Sequence, residues 1–104
     1  MSSMDERGAA FEAKFAHDAE LQFKVEARRN KLVGLWAAGL LRKTGDEADA
    51  YAVEVVKSDF EEAGDEDVYR KLAGDLGGLA TEDEIRTKMS EMKAEAKTQV
   101  MAET

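Results

Sequence analysis

The 104 residues contain no cysteine, no proline and a single histidine, His17. The missing cysteines exclude thiol chemistry and zinc–thiolate sites, and fit a reducing compartment. With proline absent and Ala, Glu, Lys, Leu, Met and Arg dominant, no window alternates like a strand, which excludes a sheet protein. The longest apolar run, residues 32–41 (LVGLWAAGLL), is too short to span a bilayer and reads as a buried helix segment. The opening MSSMDERG has neither a basic n-region nor an apolar core, so it does not read as a secretory signal. A formal net charge of −8 disfavours a nucleic-acid partner, because a phosphate backbone would be repelled.

What remains is an all-α domain. A chain of 104 residues, 43% hydrophobic, buries one modest core, and 37% charged residues suit long helices with solvated faces. Three glycine-bearing stretches punctuate it. Gly45 in KTGDE is expected to end a helix, with Thr44 or Asp46 capping the next. Gly64 ends another and Asp65 caps its successor. Gly77 and Gly78 break a third, after which Thr81 and Glu84 form a capping box. The expected helices are 20–43, 47–62, 66–76 and 82–101. Their expected core residues include Leu21, Val25, Leu32, Leu35, Trp36 and Leu40 from the first; Tyr51, Ala52, Val55, Val56 and Phe60 from the second; Val68, Tyr69, Leu72 and Leu76 from the third. The last presents Ile85, Met89, Met92 and Ala96 as a seam, with Val100 taking over from Gln99. Short links between amphipathic helices favour a four-helix bundle over residues 20–104.

Chemistry finds little to work with. His17 has no partner at a spacing suited to general base work or metal binding. The acidic run Asp59, Glu61, Glu62, Asp65, Glu66 and Asp67 lacks the order of a calcium loop and reads better as helix capping. Gly74, Gly77 and Gly78 form no phosphate-binding motif. No catalytic or metal-ligating set is expected, and no cofactor is required. Charge is uneven: residues 20–45 carry six bases and two acids, whereas 46–78 carry eleven acids and three bases. Lys24, Arg28 and Lys31 share a helix face that could hold an anion such as the phosphates of ATP or ADP. The competing use is pairing with the acidic middle of the chain. Trp36, among the small residues Gly34, Ala37, Ala38 and Gly39, reads as a core anchor where helices approach closely.

Residues 1–19 stand apart. Phe11, Phe15, Ala19, Phe23 and Ala27 recur every four residues, so they run along one side of a helix, while Leu21, Val25, Leu32 and Leu35 form a second row that points in a different direction. Two phenylalanines cannot easily offset the entropy of ordering so short a helix alone. The segment either docks on the bundle or stays mobile and folds on a partner. In the second case Phe11 and Phe15 are anchors for a groove, and Asp5, Glu6, Arg7, Glu12 and Lys14 form the rim. Phe23 and Ala27 are expected at the edge of the core.

The stretches FEAKFAHDAELQFKVEARRNKLVGLWAAGLL and SDFEEAGDEDVYRKLAGDL together resemble the zeta subunit, the inhibitor of the F-type ATP synthase in alphaproteobacteria. The resemblance covers nearly the whole chain. It implies a four-helix bundle preceded by a mobile inhibitory segment within about Met1 to Ala19, a region that includes Met4. It also implies that this segment becomes helical in a catalytic α/β interface of the enzyme head, reaches toward the central stalk and blocks rotation in the hydrolytic direction, as the mitochondrial inhibitor protein does. No enzymatic activity of its own is implied. The placement that follows is cytoplasmic, peripheral at the inner membrane when bound, monomeric when free and never membrane-inserted. The alternative is a small acidic bundle that binds a nucleotide or another anion as a regulatory module.

Overall fold

A computed structural model of the chain describes the backbone of residues 2–59 and 65–103, and the side chains of residues 18–59 and 65–103. Four α-helices and one short 3-10 turn make up the described residues: α1 (Ser2–Leu40), α2 (Asp46–Ser58), α3 (Glu66–Leu76), the 3-10 turn Gly77–Leu79 and α4 (Glu82–Glu103). The expected all-α four-helix bundle is what forms. The helix α1 packs against both α2 and α4, and α3 closes the remaining side.

The largest departure from the sequence reading is the length of α1. It does not begin near residue 20; the backbone is helical from Ser2, giving 39 residues. Such a helix is about 58 Å long, and the molecule extends 63 Å along its longest axis against 25 and 20 Å across. The helix also stops earlier than residue 43, and by an unexpected device. Arg42 takes a left-handed conformation with φ 62°. Its N–H donates to the Gly39 carbonyl at 3.1 Å, and Lys43 N–H reaches back to the Ala38 carbonyl at 2.9 Å. This is a Schellman ending with arginine where glycine is usual. Gly45, expected to end α1, instead precedes α2 with φ 56°, and neither Thr44 nor Asp46 provides a side-chain cap.

The remaining boundaries follow the sequence more closely. The helix α3 ends at Gly77, whose φ is 56°. The capping box at the start of α4 is present: Glu84 N–H donates to Thr81 Oγ1 at 3.2 Å, and Thr81 N–H to Glu84 Oε1 at 3.1 Å. Asp65 flanks α3 but makes no side-chain cap, because its carboxylate is drawn to Arg29. Phe60 and Gly64 lie outside the described residues.

The core divides in two. The larger part joins all four helices through residues such as Val33, Ala37, Tyr51, Val55, Val68, Leu72, Ile85 and Met89, with Trp36 packed at its margin. The smaller part consists, among the described residues, of Val25, Ala96 and Val100 from α1 and α4, flanked by Leu21 and Leu32. Leu40, expected inside, is 36% exposed. Leu35 is only partly buried. Their places on α1 are taken by small residues and, unexpectedly, by Arg29 and Asn30, which are 2% and 1% exposed.

Candidate functional site

The segment of interest is the part of α1 that precedes the bundle. Where the bundle begins on α1 can be read from α4, which runs antiparallel to it. Trp36 stands near Lys88, Val25 packs with Ala96 and Val100, and Arg28 meets Glu103. The last turn of α4 therefore lies alongside Leu21 and Val25, and α1 continues N-terminally beyond that level as helix back to Ser2. The side chains of Met4, Asp5, Glu6, Arg7, Phe11, Glu12, Lys14, Phe15 and His17 lie outside the described residues.

An unbroken helix nevertheless fixes the register of these positions. A repeat of four drifts about 40° per step on a helix of 100° per residue. Positions 11 and 23 are thus about 120° apart, and the supposed single row winds around α1. Eighteen residues make five whole turns. Position 11 therefore shares a side of α1 with Arg29, and position 15 with Val33. Both of these are buried in the bundle. Positions 11 and 15 thus continue, ahead of the bundle, the side of α1 that carries Arg29 and Val33. Phe23 falls elsewhere and is 57% exposed, not packed at the core edge as expected. It lines a shallow concavity of about 180 Å³ with Glu26, Ala27, Asn30, Val56 and Asp59.

The basic face is assembled only in part. Lys24, Arg28 and Lys31 do line one open concavity, of about 430 Å³, on the surface between α1, α2 and α4. Arg28 is already engaged, however. Its guanidinium pairs with Glu103 at 2.7 Å and donates to Gln99 Oε1 at 2.8 Å. Lys24 lies 3.6 Å from Glu20. An anion bound here would have to displace the Glu103 carboxylate.

Sequence reasoning missed the buried polar layer beside this face. Arg29 Nε donates to Asn30 Oδ1 at 2.8 Å, and its Nη2 donates to Asp65 Oδ1 at 3.0 Å. These contacts tie α1 to the start of α3. Burial raises the Asp59 carboxyl above its ordinary range, although a hydrogen bond from Asn30 and the charge of Arg29 pull it down. Among the described residues no buried polar side-chain atom lacks a hydrogen-bond partner. No group of three or more His, Cys, Asp or Glu side chains is placed to hold a metal among those residues, and no helix is long and apolar enough to cross a membrane.

The sequence model of the family described as ATPase inhibitor subunit zeta matches residues 1–99. The chain belongs to that family. A protein of known solution NMR structure is 62% identical to this zeta-family chain, covers 81% of it and 99% of its own length, and superposes with a TM-score of 0.76. None of the curated proteins compared with the chain matches it.

Proposed function

We propose that this protein inhibits the F-type ATP synthase through the N-terminal part of α1, residues 1–19, and has no catalytic activity of its own. The observation that carries this reading is the family match, which begins at residue 1 and so takes in the helix ahead of the bundle. The proposed receptor is a catalytic α/β interface of the enzyme head. Helix register gives the physical basis. Positions 11 and 15 continue, past the end of α4, the helix side that carries Arg29 and Val33, both buried within the bundle. A groove in the head would take over the covering role, with Phe11 and Phe15 as anchors. Asp5, Glu6, Arg7, Glu12 and Lys14 would set the register at the rim, with Met4 beside them. A helix wedged there and reaching toward the central stalk stops rotation in the hydrolytic direction. Bound in this way, the protein sits peripherally at the inner membrane; unbound, it is a monomer in the cytoplasm.

Adding the purified chain to the matching ATPase is expected to reduce hydrolysis, and removing residues 1–19 to abolish the effect. Equal inhibition by the truncated bundle would overturn the reading.

A second reading, compatible with the first, has ATP or ADP held at Lys24, Arg28 and Lys31. The shared concavity of these three residues favours it. Titration with either nucleotide should then shift the amides around Arg28 and Glu103. Absence of localised shifts at millimolar nucleotide would end it.

A further inference from the structure

The bundle is thinnest where α1 leaves it. Among the described residues, α4 covers α1 at that end through the small cluster of Val25, Ala96 and Val100 with Leu21 and Leu32, and Val56 of α2 lies beside Phe23 and Ala27. Open grooves flank the seam on both sides, one of them lined by Leu21, Val25, Lys93, Lys97 and Met101. The end of α4 is intrinsically weak as well. Its last turn holds Glu103 and no basic residue, so a negative charge sits at the negative end of the helix dipole. What offsets this comes from α1: Arg28 pairs with Glu103 at 2.7 Å and bonds Gln99, one turn earlier, at 2.8 Å.

From this geometry we propose that Arg28, Gln99 and Glu103 form a clasp that holds the root of the N-terminal helix, and that the state of the clasp sets how readily that helix forms. Helices are costly to nucleate and cheap to extend. With the clasp closed, residues 18–28 are a ready nucleus from which residues 2–17 propagate. With it open, the nucleus frays from both helices at once. The link to potency rests on the inhibitor reading above; the clasp itself does not. Arg28 is here a positioning residue.

The test is amide hydrogen exchange on the full chain, paired with ATPase inhibition, for wild type, Arg28→Glu and the swap Arg28→Glu/Glu103→Arg. The single variant is expected to lower protection of residues 18–28 and 96–103 by about 10-fold or more, as locally weak segments do. It should raise the concentration needed for half-inhibition by a similar factor. The swap should restore both. Unchanged protection in the single variant overturns the clasp, as does failure of the swap to restore it. Loosened helices with unchanged inhibition overturn the link to potency. A wild-type chain that does not inhibit overturns the inhibitor reading and the link, while the exchange data still decide the clasp.

Discussion

Gly34 and Ala52 bring α1 and α2 nearly backbone to backbone: a Cβ at Gly34 would lie 2.9 Å from Cα of Ala52 and 3.3 Å from the Val55 side chain. That distance is below any ordinary contact, and one of the atoms is backbone, so the helices themselves would have to separate. Gly34→Ala should therefore cost about 1–3 kcal/mol by overpacking, despite alanine's better helix propensity. Gly39 is the control. It lies on the same helix with nothing within 4 Å of its missing Cβ. Gly39→Ala should gain up to about 1 kcal/mol. Urea unfolding of both variants checks the pair, and opposite signs are expected.

Arg42 offers a second stability test. It is exposed and holds φ 62° at the end of α1. A side chain in that region costs about 1–2 kcal/mol, which glycine avoids. Glycine also makes the unfolded chain more flexible, which takes back part of the gain. Arg42→Gly should raise stability by about 0.5–1 kcal/mol, visible as a higher melting temperature with unchanged helix content.

These two sites show where sequence reading stops. Local signals were legible. The Thr81–Glu84 capping box formed, and α3 spans Glu66–Leu76 as its periodicity and Gly77 indicate. Long-range ones were not. Arg29 is buried because Asp65, 36 positions away, receives its guanidinium; nothing near Arg29 in the chain announces that partner. The same contact removes Asp65 from the capping role that its position suggests. On the candidate site, the shared face of Lys24, Arg28 and Lys31 was readable from spacing, but the Gln99 and Glu103 groups that occupy Arg28 lie on another helix. The four-residue repeat misled for a simpler reason. Its drift accumulates, so a row that looks straight over two turns crosses to another side of α1 over four.

The cluster around Asp75 predicts how acid unfolds the bundle. Tyr51 Oη and Lys71 Nζ each donate to Asp75 Oδ2 at 2.9 Å. Burial alone would raise the Asp75 carboxyl, but the bonds from Lys71 and Tyr51 outweigh it and hold the group below its ordinary value of 3.8. The folded state thus binds this proton less readily than the unfolded one. The stability that Asp75 contributes is fully present above pH 3.8 and lost as pH falls through its lowered folded value. Asp59, whose carboxyl is raised, works in the opposite sense and favours the fold on acidification. An Asp75→Asn variant keeps an acceptor for Tyr51 but cannot titrate. Its acid limb, followed by circular dichroism, should be flatter than that of wild type, with the two curves converging at the lowest pH.

The phenylalanine positions of α1 fall at different angles around the helix. Positions 11 and 15 lie on the side of α1 that is buried further along, at Arg29 and Val33. Phe23 lies about 120° round from position 11 and about 80° from position 15 on the same helix and is 57% exposed beside Ala27 and Val56. A groove that covers positions 11 and 15 would have to extend about 80° further round α1 to reach Phe23. If residues 1–19 are the inhibitory segment, Phe11→Ala and Phe15→Ala should each raise the half-inhibiting concentration about 30-fold or more, the scale of an aromatic anchor losing about 2 kcal/mol. Neither should shift the melting temperature of the bundle. Phe23→Ala should leave inhibition within about 3-fold of wild type, since a residue outside the covered side contributes little binding energy. Equal losses from all three substitutions would mean that the head grips α1 on more than one side, and the single-groove account would fall.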